Sequence, residues 1–347
     1  MSFLIRFAEL VGQLKIYQNL HFVTSNCFSR PTESTAKKTT RKHCTNLLLQ
    51  PATKVRAWLN SFNTFIADGE GVLWIYDKPI PGAIEALNRL KACGKQIYVC
   101  TNNSTQTRQQ HTFKAERLGL NIRENELLCT AHATAQYLKK LDFLQYAYVI
   151  GAEALTTELD AAGIVLHNES GPDIMSETVE KYAAQFRKEP HVGAVIVGYD
   201  KHFSFPKLAK AVTYLKNADC LFLATNMDAG SHTTEMVIPG TGSFVAAIEY
   251  CTERKATVIG KPSVHMCAQH IQNGLIEPAK TLMIGDNYET DMPFGHNLGF
   301  QTLLVGTGTH TWSDVLYLQK LNDNLVKHCM PDAYIPKLAD LNYFLPR

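Results

Sequence analysis

The 347-residue sequence predicts an α/β fold in which a parallel sheet is covered by helices. Along residues 51–141, short apolar runs with the length of strands alternate with helix-length stretches. This alternation is typical of parallel strands joined by right-handed helical crossovers. A second alternating segment, residues 142–228, is inserted before the first pattern resumes at residue 229. Several apolar runs end abruptly in small polar residues, and open α/β sheets bind ligands at such strand ends.

Composition narrows the class of protein. With 45% hydrophobic and 19% charged residues, the chain can form one large or two modest cores. Its formal net charge of +2 gives no electrostatic reason to expect a nucleic-acid or membrane partner. No apolar run approaches the ~18 residues that span a bilayer. Nine scattered cysteines without a Cys-x-x-Cys pair favour reduced thiols and a cytoplasmic location.

Residues 1–50 form a basic N-terminal extension with seven Lys or Arg residues and two acidic ones. Apolar residues recur at helical spacing in its first part, at Phe3, Phe7, Leu10, Leu14 and Tyr17. A basic, amphipathic, acid-poor leader is typical of a mitochondrial transit peptide. The favoured interpretation is an extension that carries no targeting signal. Mitochondrial import is the alternative to a cytoplasmic location.

The first core strand ends in the stretch Asp68-Gly69-Glu70-Gly71. The apolar residues before it indicate a buried strand. The two glycines allow the backbone to turn sharply and to approach a ligand closely. The carboxylates of Asp68 and Glu70 are therefore predicted on a loop at the carboxyl end of a strand. Considered alone, the stretch is equally consistent with an ordinary Asp-Gly turn.

The next elements extend the sheet. Pro81 is predicted to start a helix that ends at Gly94. Strand 96–100 then ends in the polar stretch Thr101-Asn102-Asn103-Ser104. A helix at 105–118, a strand at 127–130 and a helix at 131–140 lead into the inserted segment.

The inserted segment is predicted to contain its own strands and helices. The strands are 146–151, 163–166, 192–198 and 220–224, and the helices are 153–162, 176–187 and 207–215. After the chain returns to the core, strand 256–260 leads into Lys261 and strand 281–285 leads into Asp286, with Asp291 five residues later. Considered alone, Lys261 is a surface lysine and the two acids begin a solvated helix.

In chain order, the four polar loops supply a carboxylate, a hydrogen-bonding loop, a cation and an acidic pair. This set resembles the four motifs of the haloacid dehalogenase (HAD) superfamily of phosphatases. Further stretches are similar to its phosphoglycolate phosphatase / 4-nitrophenylphosphatase (chronophin-like) branch: Gly71-Val72-Leu73-Trp74, Ile80-Pro81-Gly82-Ala83, Val197-Gly198-Tyr199-Asp200, Ala224-Thr225-Asn226 and Pro239-Gly240-Thr241-Gly242-Ser243. The resemblance covers residues 55–345. It implies a Rossmann-like HAD core at 51–141 and 229–347 and an α/β cap domain at 142–228.

The resemblance also implies a Mg²⁺-dependent phosphomonoesterase. Asp68 would be the nucleophile that forms an aspartyl-phosphate, and Glu70 would be the general acid and base. The metal would be bound by Asp68, Asp286 and the backbone carbonyl of Glu70, and Asp291 would act through water or orient the other ligands.

The phosphate-binding residues follow from the same resemblance. Thr101 and Asn102 would hydrogen-bond the transferring phosphoryl oxygens, with Asn103 beside them, and Lys261 would neutralise negative charge. Backbone N–H groups of the first loop would complete the phosphate site. Loop 228–239 departs from the family pattern, and His232 within it is more consistent with a plain loop residue than with a substrate contact.

Glu70 is the main departure, because the family normally has Asp at this position. One added methylene can displace the carboxyl, and a displacement of about 1 Å can cost ~10²-fold in rate. The other motif residues are retained, so an active enzyme is favoured. A catalytically weakened phosphate-binding or regulatory protein of the same fold is the alternative, and Asp-nucleophile dehalogenation is disfavoured by the acidic pair.

The expected substrate is a small phosphorylated metabolite similar to 2-phosphoglycolate, with 4-nitrophenyl phosphate as an artificial substrate. Pyridoxal phosphate and phosphoproteins are alternatives within the class. A cap closing over the site would restrict access to small molecules. Relatives often dimerise through this cap, so a homodimer is a further hypothesis.

Overall fold

The computed structural model describes residues 43–232, 236–321 and 324–346. The predicted helical stripe and targeting function of the N-terminal extension lie outside these residues, as does the side chain of His232. The extension was predicted to reach residue 50, but Thr45–Asn46 pairs with the last strand of the core sheet and Leu47 is buried in the core. The core therefore begins earlier than the sequence indicated.

The described residues form strands and helices in alternation. The strands are β1 (Thr45–Asn46), β2 (Thr64–Ala67), β3 (Trp74–Ile75), β4 (Lys78–Pro79), β5 (Gln96–Thr101), β6 (Leu127–Cys129), β7 (Tyr146–Ile150), β8 (Val192–Val197), β9 (Leu221–Ala224), β10 (Gly230–His232), β11 (Val237–Pro239), β12 (Thr257–Val258), β13 (Thr281–Gly285), β14 (Gln301–Val305) and β15 (Ala333–Ile335). The α-helices are α1 (Ala52–Asn60), α2 (Ala83–Ala92), α3 (Arg108–Arg117), α4 (Thr130–Lys140), α5 (Glu153–Ala161), α6 (Val179–Gln185), α7 (Phe205–Leu215), α8 (Thr241–Thr252), α9 (His265–Gln272), α10 (Asp291–Asn297), α11 (Trp312–Lys320) and α12 (Asn324–Cys329).

The core sheet has seven parallel strands in the order β1-β15-β14-β13-β2-β5-β6. Its interior strand β2 is buried at every residue and places Phe65 beside Leu282 on one side and Ile97 on the other. Apolar residues of α1 and α2 cover one face, and those of α9 and α10 cover the other. Strands buried on both faces must be apolar throughout, which explains the continuous runs in the sequence.

The second sheet has four parallel strands in the order β12-β9-β8-β7. Helices α4 and α5 pack on one of its faces through Leu138, Leu155 and Leu159. Helices α7 and α8 pack on the other through Tyr214 and Val245. This sheet corresponds to the α/β segment predicted between the second and third motifs.

One strand prediction is wrong, and one predicted strand joins a different sheet. The predicted strand 163–166 contributes only an isolated bridge between Leu166 and Ala147. The predicted strand 256–260 joins the second sheet, because β12 pairs with β9 and not with the core. Its apolar character does not reveal which sheet it enters. The domain boundaries themselves stay a prediction, since the structure shows only which sheet each strand joins.

Two short hairpins were not predicted. Strands β3 and β4 pair directly after the Asp68 loop, and β10 and β11 pair in the connection that follows the second sheet. Among the described residues, no helix is both long and apolar enough to cross a membrane. The eight cysteines in the described ranges are free thiols.

Candidate active site

The polar loops meet where the carboxyl ends of the core strands face the end of the second sheet. Asp68 and Asp286 directly follow β2 and β13, and Thr101 is the last residue of β5. The second sheet supplies the cation. The N–H groups of Ile259 and Gly260 donate to the carbonyls of Ala224, at the end of β9, and of Thr225, and Lys261 follows directly. Lys261 thereby comes within reach of Asp68.

Lys261 lies at the centre of the site, with only 1% of its side chain exposed. Its Nζ lies 2.9 Å from Asp68 Oδ2 and 2.7 Å from Asp291 Oδ1, and it donates to the carbonyl of Cys100 at 3.2 Å. Burial alone would lower its pKa, but the charges of Asp291 and Asp68 outweigh burial and raise the pKa of Lys261. The lysine is therefore a fixed cation and not a surface residue.

Asp291 is a positioning carboxylate that is completely buried. Its Oδ1 bonds Lys261. Its Oδ2 accepts from the N–H groups of Asp286 and Asn287, each at 3.1 Å. It thereby fixes the loop after β13 relative to Lys261.

Asp286 is held from the opposite side by a loop that sequence reasoning missed. Its Oδ2 accepts from the backbone N–H of Thr309 at 2.7 Å and from the Thr309 hydroxyl at 2.8 Å. Two glycines allow this close approach. A Cβ at Gly71 or at Gly308 would lie 2.5 Å or 2.1 Å from Asp286 Oδ2, and Gly71 also has φ +77°, which favours glycine.

Asp68, Asp286 and Asp291 place carboxylate oxygens within 4.8 Å of one another. Burial raises the pKa of Asp68, and Lys261 opposes that shift; burial and Asp291 raise the pKa of Asp286. Three carboxylates around one ammonium leave an excess of negative charge in a buried site. Clustered carboxylate oxygens of this kind are the donors that Mg²⁺ prefers, so the residues fit a divalent cation.

The Asn102 side chain holds the Lys261 backbone. Its Oδ1 accepts from the Lys261 N–H at 2.8 Å. Its Nδ2 donates to the Lys261 carbonyl at 3.1 Å and to Asp228 Oδ2 at 3.2 Å. Both amide hydrogens are thus engaged within the protein, and the predicted hydrogen bond from Asn102 to phosphoryl oxygens stays a prediction.

The two neighbours of Asn102 differ in their placement. Thr101 is 4% exposed, and its hydroxyl oxygen accepts from the Asn103 N–H at 3.2 Å, so its hydrogen can still be donated to a ligand. Asn103 is exposed, and its Oδ1 accepts from the N–H and hydroxyl of Thr105. The Asn103 side chain therefore stabilises a turn, and its predicted part in phosphate binding stays a prediction. As predicted, Cys100 is a fully buried small side chain.

The first loop uses its own glycine N–H groups. Gly69 donates to Asp68 Oδ1 at 2.7 Å, and Gly71 donates to the Trp74 carbonyl at 2.8 Å. These two bonds stabilise the loop that carries Asp68, and the predicted contact of backbone N–H groups of this loop with phosphate stays a prediction.

Glu70 is an exposed residue outside the cluster of three aspartates. Its Oε1 accepts from the Tyr76 N–H at 2.5 Å, in the turn between β3 and β4. Partial burial raises the pKa of Glu70, while the bond from Tyr76 and the charge of Lys114 lower it. The predicted metal contact through its backbone carbonyl stays a prediction.

Sequence reasoning missed Asp228. Its Oδ2 accepts from Asn102 Nδ2 and from Asn226 Nδ2, the latter at 2.5 Å, and burial raises its pKa. A sequence signal existed, because Asp228 follows the family-like stretch ending at Asn226 by two residues. For Thr309 the sequence offered no comparable signal.

Models of known families match most of the chain. The haloacid dehalogenase-like hydrolase descriptions match residues 65–165 and 130–299, and a HAD-hydrolase-like description matches 258–341. Glycerol-3-phosphate phosphatase of Gallus gallus is 39% identical over 295 residues, which cover 82% of this chain and 93% of that protein.

Two further relatives extend the comparison. Chloroplastic phosphoglycolate phosphatase 1A of Arabidopsis thaliana is 37% identical, over 81% of this chain and 77% of its own. Chronophin of Rattus norvegicus is 37% identical, over 79% of this chain and 85% of its own. Among solved structures, p-nitrophenyl phosphatase from Archaeoglobus fulgidus superposes with a TM-score of 0.68 at 26% identity, over 82% of this chain and 99% of that one.

Proposed function

Because the chain belongs to the haloacid dehalogenase-like hydrolases and is a phosphatase of that family, we propose that it hydrolyses small phosphomonoesters through an aspartyl-phosphate on Asp68. The observation that carries the proposal is the contact of Asp68 with Lys261 at 2.9 Å in a buried site. The charge of Lys261 lowers the pKa of Asp68 against the larger effect of burial, and so favours the ionised form that a carboxylate nucleophile requires.

In the first step, an Asp68 carboxylate oxygen attacks phosphorus and the bond from phosphorus to the ester oxygen breaks. Glu70 donates its proton to the departing oxygen, which leaves as an alcohol. Lys261 and the Thr101 hydroxyl balance negative charge on the transferring phosphoryl oxygens. Asp291 takes part only by holding Lys261 in place.

In the second step, a water molecule attacks the phosphorus of the aspartyl-phosphate. Glu70, now ionised, accepts a proton from the water. The bond from phosphorus to the Asp68 oxygen breaks, so inorganic phosphate is released and both carboxyl groups return to their starting states. The net reaction converts one ester and one water into an alcohol and phosphate.

The three aspartates fit a resident Mg²⁺. Asp68 and Asp286 would bind it directly, and Asp291, whose oxygens are already engaged, would orient the site. When bound, the ion supplies positive charge against the phosphoryl oxygens.

Relatives named for glycerol-3-phosphate and phosphoglycolate support a small phosphorylated metabolite as substrate. A cytoplasmic location is a further hypothesis. A homodimer formed through the second sheet is another. A monomer mass by light scattering would refute the dimer.

The test is phosphate release from 4-nitrophenyl phosphate, 2-phosphoglycolate and glycerol-3-phosphate, with Mg²⁺ or with chelator. It compares the wild type with Asp68→Asn and Glu70→Asp. Turnover that needs Mg²⁺ and is lost in Asp68→Asn supports the proposal. Turnover in the wild type that survives Asp68→Asn would contradict the assigned nucleophile.

A second candidate function is a phosphate-binding protein with weakened catalysis. The position of Glu70 favours it, because the carboxyl bonds the Tyr76 N–H and stands apart from the aspartates. Turnover by Glu70→Asp but not by the folded wild type would establish this alternative.

A further inference from the structure

Lys114 on α3 is a buried cation whose charge partners are the carboxylates of Glu70 and Asp77. The residue is 9% exposed, and its Nζ lies 5.0 Å from the centroid of the Trp74 ring. The nearest carboxylate oxygen of an ion pair, Asp77 Oδ1, is 3.9 Å away. Burying an ammonium costs free energy unless nearby groups offset the loss of water. The charges of Glu70 and Asp77 offset part of it, and the indole face adds to the stabilisation.

Trp74 connects this lysine to the nucleophile loop. Its side chain is buried against Gly69, where a Cβ would lie 2.8 Å from the indole Cζ2. Its backbone N–H donates to the Gly69 carbonyl at 3.1 Å, and its carbonyl accepts from Gly71 at 2.8 Å. Movement of Trp74 would therefore displace the residues on either side of Glu70.

The hairpin formed by β3 and β4 connects Lys114 to the Glu70 carboxyl. Trp74 starts this hairpin, and Asp77 lies in its turn beside Tyr76. Tyr76 has φ +52°, a conformation that residues other than glycine rarely adopt, and its N–H donates to Glu70 Oε1. Lys114 contacts both ends of the segment that presents this N–H.

We propose that Lys114 is a positioning residue for Glu70, holding the β3–β4 hairpin so that the Tyr76 N–H fixes the Glu70 carboxyl where it can protonate the departing oxygen. This inference rests on the proposed function. Glutamate has one more rotatable bond than aspartate, and ordering it costs side-chain entropy. The hairpin restrains that additional freedom, and Lys114 itself does not touch the substrate.

Substrates with different leaving groups distinguish a misplaced general acid from a general loss of activity. An alkoxide such as that of glycerol-3-phosphate needs a proton to depart, whereas 4-nitrophenolate departs without one. We expect Lys114→Met to lower kcat/KM for glycerol-3-phosphate by ~10- to 100-fold, and for 4-nitrophenyl phosphate by less than ~3-fold. kcat/KM includes the step in which the alcohol departs, so it reports this effect.

Two variants control the experiment. Lys114→Arg keeps a cation over the indole and is expected to retain kcat/KM within ~3-fold on both substrates. Arg117→Met removes the exposed contact to the same Asp77 oxygen, at 3.2 Å, and is expected to change neither value, since exposed pairs contribute little. If Lys114→Met does not unfold cooperatively, Lys114→Gln takes its place.

Each outcome distinguishes the inference from the function on which it rests. A selective loss on glycerol-3-phosphate supports the role of Lys114. An equal loss on both substrates, no loss, or a gain would overturn it while leaving the phosphatase proposal intact. A wild type that hydrolyses neither substrate would instead refute the proposed function.

Discussion

The Lys261 ammonium and the Glu70 carboxyl serve the same proposed reaction but are held in opposite ways. Lys261 is almost fully buried and bonds oxygen atoms of three residues, Asp68, Asp291 and Cys100. Glu70 is exposed and is bonded through one backbone N–H of a short hairpin. Changes around Lys261 should therefore affect folding and catalysis together, and changes around Glu70 should affect catalysis alone.

The largest effect is expected from Lys261→Met. It leaves the buried carboxylates of Asp68 and Asp291 without their cation, and breaking a buried pair costs about 3–5 kcal/mol. We expect loss of measurable phosphatase activity together with a much lower midpoint of urea unfolding. Lys280→Met, in an exposed pair with Glu277, is the matched control. If Lys261→Met were as stable as the wild type, changes around Lys261 would not affect folding, and the difference from Glu70 would not hold.

Removal of metal should have the next largest effect. At a Mg²⁺ concentration 100 times the Kd, binding stabilises the folded state by about 2.7 kcal/mol. Asp286→Asn relieves repulsion within the acidic cluster, so without Mg²⁺ it should unfold at an equal or higher temperature than the wild type. With Mg²⁺ the order should reverse. Thermal unfolding of both proteins with Mg²⁺ and with chelator measures these unfolding temperatures. If Mg²⁺ raised the unfolding temperature of both proteins equally, the result would argue against a metal site that includes Asp286.

Asp228→Ala should give a smaller but clear loss. The substitution removes the acceptor of one amide hydrogen on each of Asn102 and Asn226, at a cost of about 1–3 kcal/mol. Because Asn102 holds the Lys261 backbone, kcat/KM should fall ~10-fold or more, given that 1.4 kcal/mol corresponds to tenfold. Steady-state kinetics compare it with Asp219→Ala, an exposed acid of the second sheet region. Equal kinetics for the two variants would show that Asn102 needs no such support.

The smallest expected effect is a dependence of stability on pH. It arises from His111, on the same helix as Lys114. Burial lowers the pKa of His111 to about 4, and its Nε2 lies 3.2 Å from the Asn103 carbonyl. The unfolded state binds the proton first, so stability is complete above pH 6.5 and falls as pH decreases toward 4. Between pH 6 and pH 5 the wild type should lose about 1 kcal/mol more than His111→Gln, since one pKa unit is worth about 1.4 kcal/mol.

Urea unfolding at pH 8, pH 6 and pH 5 makes this measurement, and the value at pH 8 corrects for any constant difference between the two proteins. Lys114 and Glu158 are the charged groups that act on His111, and neither is altered. Parallel pH curves would show that His111 is accessible to protons in the folded state.

The sequence was sufficient to place the residues that directly end apolar strands. Asp68 and Asp286 follow β2 and β13, and parallel neighbouring strands bring their ends together. The haloacid dehalogenase-like family and its α/β architecture were likewise predictable, and the comparisons confirm both.

Long-range partners were not predictable. The Asn102 side chain is committed to Lys261, 159 residues away, and a motif position does not reveal which atoms of an amide are already in use. The β3–β4 hairpin has only two pairs of residues, too few for a periodic pattern. β12 joins the second sheet through its pairing with β9, and local apolarity does not indicate which strand will be the partner.

The chain runs from β12 directly into Lys261. This limits the positions at which two related proteins can be joined in a chimera. If residues 142–228 were exchanged between relatives, the cut at residue 228 would separate β9 from its edge partner β12. It would also remove the cover of α8. The exposed strand edge would then favour aggregation. A chimera made with an intact second sheet has to extend to Gly260, and its junction falls directly before the lysine.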